Sequence, residues 1–243
     1  MVSKKLIFHN VTPPEFFVDK PDFARILKRG YEQIWNFNKV FSSAICDSVF
    51  NKKILRKYGY RKDIQIIPPF VDLFDKFGIP KVKQKFKKIR FLYVSQIAPH
   101  KNQKKLVKIF KIYQRYFNDN SELYIVGGFN EKDPYYRALE QEIGLNKSVH
   151  VTGKISLSKL KNLYQTSHLF LSMSEHEGFG MPLIEAMLFN LPVLAYNSSN
   201  IANTLNEGGV LFEEKSHKHI AATIELIRNN PKLKDEIIQT QLK

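Results

Sequence analysis

In the run Glu177-Gly178-Phe179-Gly180-Met181-Pro182-Leu183-Ile184-Glu185, two carboxylates flank a bend built from two glycines and a proline. The glycines let the backbone approach a ligand closely. Pro182, expected at the first helical position, leaves the neighbouring amides pointing outward. A helix that starts this way attracts an anion through its unpaired N–H groups and its dipole. Lys101, in the turn Ser95 to Asn102, would add a full positive charge. The ligand that suits this set is a nucleotide diphosphate, with Glu177 and Glu185 accepting hydrogen bonds from sugar or ribose hydroxyls. Plainer readings stand beside these. Glu185, placed in the first helical turn, would also complement the dipole, and Glu177 would also serve as a solvated loop carboxylate.

These residues need a scaffold that presents turns side by side, and the rest of the chain supplies one. Beyond residue 85 short apolar runs alternate with helical periodicity. The strands are Ile89 to Val94, Leu123 to Val126, Val149 to Thr152, Leu169 to Met173 and Val193 to Ala195. The intervening helices are Gln103 to Phe117, Tyr135 to Ile143, Ser158 to Gln165, one opening near Pro182, and His217 to Arg228. The strands are continuously apolar, which points to a doubly wound parallel α/β sheet. In such sheets ligands bind beyond the carboxyl ends of the strands. Four turns there qualify: Ser95-Gln96-Ile97-Ala98-Pro99-His100-Lys101-Asn102, Gly127-Gly128, Gly153-Lys154, and the stretch from Ser174 to Pro182.

The amino-terminal part alternates in the same way. Strands are expected at Lys5 to Phe8, Ser43 to Cys46 and Ile64 to Ile67, with helices at Asp22 to Phe41 and Val49 to Tyr58. Val71 to Lys88 has little periodicity and reads as a linker. The expected division is therefore a partial amino-terminal α/β domain and linker over 1–85, followed by a complete Rossmann-like domain over 86–243. His9 follows a strand and is a candidate ligand contact, although a lone histidine also has structural uses.

Composition narrows the function classes. The 43% apolar content is globular, and no apolar run approaches the roughly 20 residues of a membrane span. One cysteine, Cys46, excludes an internal disulfide and a thiolate cluster, in keeping with a reducing compartment. A net charge of +15 attracts phosphates of any origin. Nucleic acid is not expected as a partner, because the lysines are scattered over polar faces. Cytoplasmic location is expected, with peripheral contact at the inner face of an anionic membrane.

The segment from Glu177 to Met187 resembles the Glu-seven-residues-Glu signature of GT-B glycosyltransferases, glycosyltransferase family 4 in particular. Val151-Thr152-Gly153-Lys154-Ile155-Ser156, Leu160 to Tyr164, Leu191-Pro192-Val193-Leu194-Ala195 and Gly208-Gly209 reinforce the likeness in order and spacing. The likeness extends from residue 89 to about 230. It implies that Glu177 contacts hydroxyls of the donor sugar and Glu185 the ribose. It also implies that the amides around Gly178, Phe179, Gly180 and Met181 hold sugar and diphosphate, and that Lys101 meets the diphosphate. The turns with Gln96 and Gly128 would complete the donor site, and the backbone near Lys154 and Ile155 would hold the base. Phe8 to Pro14 and Asp47 to Asn51 are similar to strand ends of the family's acceptor domain, with His9 a candidate donor contact. Catalytic candidates are thus Glu177, Lys101 and His9.

By this resemblance the chain is a retaining glycosyltransferase of hexosyl type. It would move sugar from a nucleotide-diphosphate donor to a carbohydrate or lipid-linked acceptor in surface polysaccharide or lipopolysaccharide synthesis, with no metal or cofactor. Family members usually carry Gly-Arg where this chain has Ser95-Gln96, so one diphosphate cation is replaced by a neutral amide. Both ends look clipped against the family pattern, and the exposed sheet edge would call for a second chain supplying the missing segment. Two alternatives follow: a non-catalytic nucleotide-sugar-binding subunit or half of a split enzyme, and a basic RNA- or DNA-binding α/β module.

Overall fold

Strands that are apolar on both faces need helices on both sides, and the parallel sheet that results is what the chain forms. The computed structural model describes residues 3–78, 87–213 and 216–241. It divides into two compact units, one formed by the chain up to Val71 together with His176–Phe179, the other by Asp72–Glu175 and the chain from Gly180 onward.

The smaller unit runs β1 (Lys5–Phe8), α1 (Pro21–Val40), β2 (Ser43–Cys46), α2 (Val49–Lys57) and β3 (Asp63–Ile66), with the three strands parallel in that order. The expected strands and helices are present with ends shifted by a residue. Ser48 caps α2 by accepting from the Asn51 N–H, a contribution of about 1 kcal/mol. Ile34, Ala44, Leu55, Tyr60 and Ile64 form the core of this unit.

The larger unit opens on α3 (Leu73–Phe77), continues through β4 (Ile89–Val94), α4 (Gln103–Tyr116), β5 (Ser121–Val126), α5 (Pro134–Ile143), β6 (Val149–Gly153) and α6 (Leu157–Thr166), and reaches β7 (Leu169–Ser172). Beyond it come α7 (Met181–Leu188), β8 (Val193–Tyr196), α8 (Ile201–Leu205), β9 (Val210–Phe212), α9 (His217–Asn229) and α10 (Pro231–Gln241). The strands are all parallel in the order β6-β5-β4-β7-β8-β9. The order reverses between β4 and β7, so the crevice for a ligand opens at their carboxyl ends.

Part of the stretch read as a linker is helical. Asp72 caps α3 by accepting from the Asp75 N–H at 2.8 Å, and Phe77 is buried in the core of the larger unit against Tyr164 and Phe189. The boundary expected near residue 85 falls outside the described residues. The core is otherwise the central strands with Leu106, Val107, Phe110 and Tyr113 of α4 and Ile220, Ile224 and Ile227 of α9. Helices α8 and α10 went unread in the sequence. Among the described residues no helix is long and apolar enough to cross a membrane.

Candidate functional site

Three turns of the larger unit are stitched together by their own backbones. Ser95 N–H donates to Val126 C=O at 2.8 Å, Ile97 N–H to Gly128 C=O at 3.1 Å, and Gly127 N–H to Gly153 C=O at 3.1 Å. Gln103, fully buried at the start of α4, donates from Nε2 to Ser95 Oγ and to the Gln96 carbonyl, both at 2.9 Å. Only glycine fits at 127, where φ is +154° and a Cβ would overlap the Ser95 carbonyl oxygen. This stitching opens a cleft of about 460 Å3 lined by Gln96, Ile97, Gly128, Phe129, Asn130, Asp133 and Lys154. Gln96, Gly128 and Lys154 are thus brought together as the sequence anticipates. Ile155 lies one residue on, in the wall of a neighbouring cleft with Thr152 and Asn162.

Phe129, Asn130 and Asp133 are lining residues that the sequence reading missed. Phe129 stacks on Tyr136 with centroids 4.1 Å apart, which fixes it as a wall. Asp133 is engaged as the cap of α5, accepting from the Tyr135 N–H at 2.9 Å. The Asp133-Pro134 pair, a cap followed by proline at the first helical position, was the available signal.

The loop after β4 is tied to the loop after β7, across the point where the strand order reverses. Glu175 N–H donates to the His100 carbonyl at 2.8 Å, and Asn102 Nδ2 donates to Glu175 Oε1 at 2.7 Å. Lys105 Nζ lies 3.5 Å from the same oxygen. Tyr93 OH donates to the Lys101 carbonyl at 3.0 Å, so the backbone that carries Lys101 is held from below. Asn102 adopts φ +56° between the short turn Pro99–Lys101 and α4, a conformation asparagine tolerates.

Helix α7 starts at Met181, with Pro182 second rather than first. Gly180 before it sits at φ +93°, and no side chain caps this end. An uncapped helix start with a proline, whose missing N–H costs nothing there, can turn first-turn amides to an external anion, the Leu183 N–H being the one that already donates to the Gly180 carbonyl, at 2.9 Å.

Glu185 differs most from expectation. It is the fifth residue of α7, beyond the first turn, and only 4% exposed. Its carboxylate accepts from Tyr164 OH at 2.8 Å and from Lys76 Nζ at 2.6 Å. Burial, reinforced by the negative charge of Glu185, pushes the Tyr164 phenol well above its ordinary range. Lys76 belongs to α3, inside the stretch read as a linker, so neither partner was anticipated.

In the smaller unit the structure gathers His9, Glu177, Gly178 and Phe179. Gly178 lies close enough to β1 that a Cβ would meet the His9 carbonyl oxygen at 3.0 Å. His176 is buried, with Nε2 at 2.8 Å from Asn10 Nδ2 and 3.1 Å from Asn10 Oδ1, and packs its ring against Phe50. His9 itself is exposed, its Nδ1 3.8 Å from Asp47 Oδ2. Asn51, fully buried, donates from Nδ2 to the His9 carbonyl at 2.6 Å and also to Asp47 Oδ1. The residues after β1 and β2 thus form one polar network, of which the sequence reading singled out His9 and the Asp47–Asn51 stretch but not His176.

Residues 75–243 match the family model described as glycosyl transferases group 1. The chain belongs to that family. It is 26% identical over 235 residues to the O-antigen chain mannosyltransferase RfbU of Salmonella typhimurium, covering 94% of this chain and 62% of that protein. It is 34% identical over 185 residues to the capsular polysaccharide biosynthesis glycosyltransferase CapH of Staphylococcus aureus, covering 73% of this chain and 49% of that protein. The chain therefore spans about half to two thirds of the length of these relatives. Among solved structures, Anabaena Alr3699/HepE in complex with UDP and glucose superposes with a TM-score of 0.73 at 19% identity, over 98% of this chain and 66% of that one. The α/β fold of parallel sheets matches GT-B glycosyltransferase structures.

Proposed function

We propose that the group 1 chain binds a nucleotide-diphosphate sugar on its larger unit and transfers the hexosyl group with retention of configuration. The acceptor is a carbohydrate or lipid-linked saccharide of a surface polysaccharide. The observation that carries this reading is the hydrogen-bonded pairing of the Lys101 loop with the loop after β7, which leads into the uncapped start of α7 at the strand-order reversal. In this reading the diphosphate rests on the amides of α7 and on Lys101. The nucleoside enters the cleft walled by Phe129 and Lys154.

Transfer generates negative charge on the departing diphosphate. Donors already in place stabilise that charge without reorganisation, which is the source of rate acceleration proposed for Lys101 and the helix start. The reading requires no metal and no organic cofactor for this step, and no side-chain nucleophile. The ribose contact assigned to Glu185 uses a lone pair left by Tyr164 and Lys76, since a carboxylate offers about four acceptor sites. The sugar-hydroxyl roles of Glu177 and His9 are carried by the resemblance alone.

Titration calorimetry with UDP and GDP tests the reading. Lys101→Ala should weaken the diphosphate roughly tenfold or more, the worth of a charge-assisted hydrogen bond. Equal affinity in both proteins would remove the assignment. A second reading, a nucleotide-sugar-binding subunit without turnover, is favoured by Gln96, a neutral amide in the cleft where the family carries arginine. Release of free nucleotide from a donor in the presence of acceptor separates the two.

A further inference from the structure

The chain has one tryptophan, and Trp35 on α1 is 56% exposed. The ring is nevertheless held in place. Its edge lies over Gly59, where a Cβ would sit 2.5 Å from Cε3. Asn38 donates from Nδ2 to the carbonyls of Trp35 and Gly59, both at 2.9 Å, and its Oδ1 accepts from the Arg61 N–H at 2.7 Å. Helix α1 and the turn before β3 thereby form an open cleft of about 430 Å3 lined by Trp35, Asn38, Lys39, Arg61 and Lys62.

All three cations are exposed, and among the described residues none forms an ion pair with a carboxylate. Helical spacing puts Lys28 and Lys39 on the same stripe as Trp35, with Glu32 as the acid there. Val40, the last residue of α1, is 53% exposed beside Lys39. An exposed indole packed along one edge on Gly59 and flanked by cations is the composition of an interfacial anchor. The ring sits at headgroup level, and the lysine and arginine heads meet phosphates.

We propose that this cleft docks the protein on the anionic headgroups of a lipid bilayer. The charge complementarity is with a plane of phosphates rather than a strand of nucleic acid, because a single-strand groove presents successive aromatic platforms and this cleft has one. The surface gives a location to the membrane contact expected from net charge. It does not depend on the transferase reading.

The full chain supplies its own probe, since all tryptophan emission comes from Trp35. Vesicles containing phosphatidylglycerol should shift that emission to the blue, brominated acyl chains should quench it, and phosphatidylcholine vesicles should do neither. Lys39→Gln and Lys62→Gln should each lower partitioning roughly fivefold, with an unchanged circular dichroism spectrum and unchanged UDP titration. No shift with phosphatidylglycerol vesicles would overturn the proposal, and so would partitioning of the combined Lys39→Gln, Lys62→Gln variant equal to that of the native chain. Displacement of the protein from vesicles by a single-stranded oligonucleotide, with the same shift, would overturn it in favour of nucleic acid. A native chain that binds the vesicles but not UDP would count against the transferase reading alone.

Discussion

Replacing Glu185 with alanine and with glutamine separates what its carboxylate does by shape from what it does by charge. In the native chain one oxygen takes the Tyr164 hydroxyl and the other takes the Lys76 ammonium. Tyr164 is fully buried, so alanine strands a hydroxyl with no acceptor, at a cost of about 1–3 kcal/mol. One buried methylene goes as well, worth about 0.8 kcal/mol. The loss is then about 2–4 kcal/mol in all. Glutamine keeps the methylene and offers Tyr164 an oxygen. It loses only the charge opposite Lys76, whose side chain is 37% exposed and can turn to water. An ion pair screened to that degree is worth up to about 1 kcal/mol, so Glu185→Gln should cost that much or less.

Urea unfolding of the full chain, followed by far-ultraviolet circular dichroism, measures both. The midpoint should fall several times further for alanine than for glutamine, with the slope unchanged. Adding Tyr164→Phe to each variant gives the coupling. The phenol deletion should cost about 1 kcal/mol beside native Glu185 and should recover about 1–3 kcal/mol in the Glu185→Ala background, where the hydroxyl has no acceptor. Equal losses from alanine and glutamine would show that the ion pair, not the buried hydroxyl, governs this corner, and the reasoning would fail.

Gly127→Ala should destabilise by about 2–4 kcal/mol, because the added methyl meets backbone that is hydrogen-bonded in place; thermal unfolding reads it, and a loss below about 1 kcal/mol would show that the turns are not stitched as described. Gly180→Ala, at φ +93° and with its Cβ 3.0 Å from Leu183 Cδ1, should cost less in stability, about 1 kcal/mol, yet weaken UDP in calorimetry. Stability should decline as pH rises past about 10, because burial holds the phenols of Tyr113, Tyr135 and Tyr164 protonated in the fold while the unfolded chain releases those protons. A titration at 295 nm should show these phenols ionising only as the chain unfolds; early, reversible ionisation would contradict it. Residues 72–241, which contain their own core, should unfold as one cooperative transition when expressed alone, and a non-cooperative melt would refute that.

The parts of the structure legible in the sequence are those whose cause is local. Strands such as Phe91 to Tyr93 and Leu169 to Leu171 announce a sheet covered on both faces because they have no polar side to offer water. The turns that follow them announce themselves by glycine, since Gly127 and Gly180 occupy backbone conformations that side chains resist. Glu185 shows where this runs out. Helix periodicity places it near the start of α7, but its burial is decided by Tyr164 and Lys76, which lie 21 and 109 residues away. Neither contact has a spacing that a single chain position could reveal. Lys76 was further hidden because α3 is five residues long, too short for a periodic signal, and is held by the Asp72 cap and by Phe77 packing on Tyr164 and Phe189. The same limit applies to the smaller unit. His9 and the Asp47–Asn51 stretch could be picked out at strand ends, while His176, which pairs with Asn10 from 166 residues away, could not. A site built on parallel strands therefore exposes in sequence the turns proposed to meet a ligand. The side chains that hold those turns in place come from distant crossovers and become visible only in the folded chain.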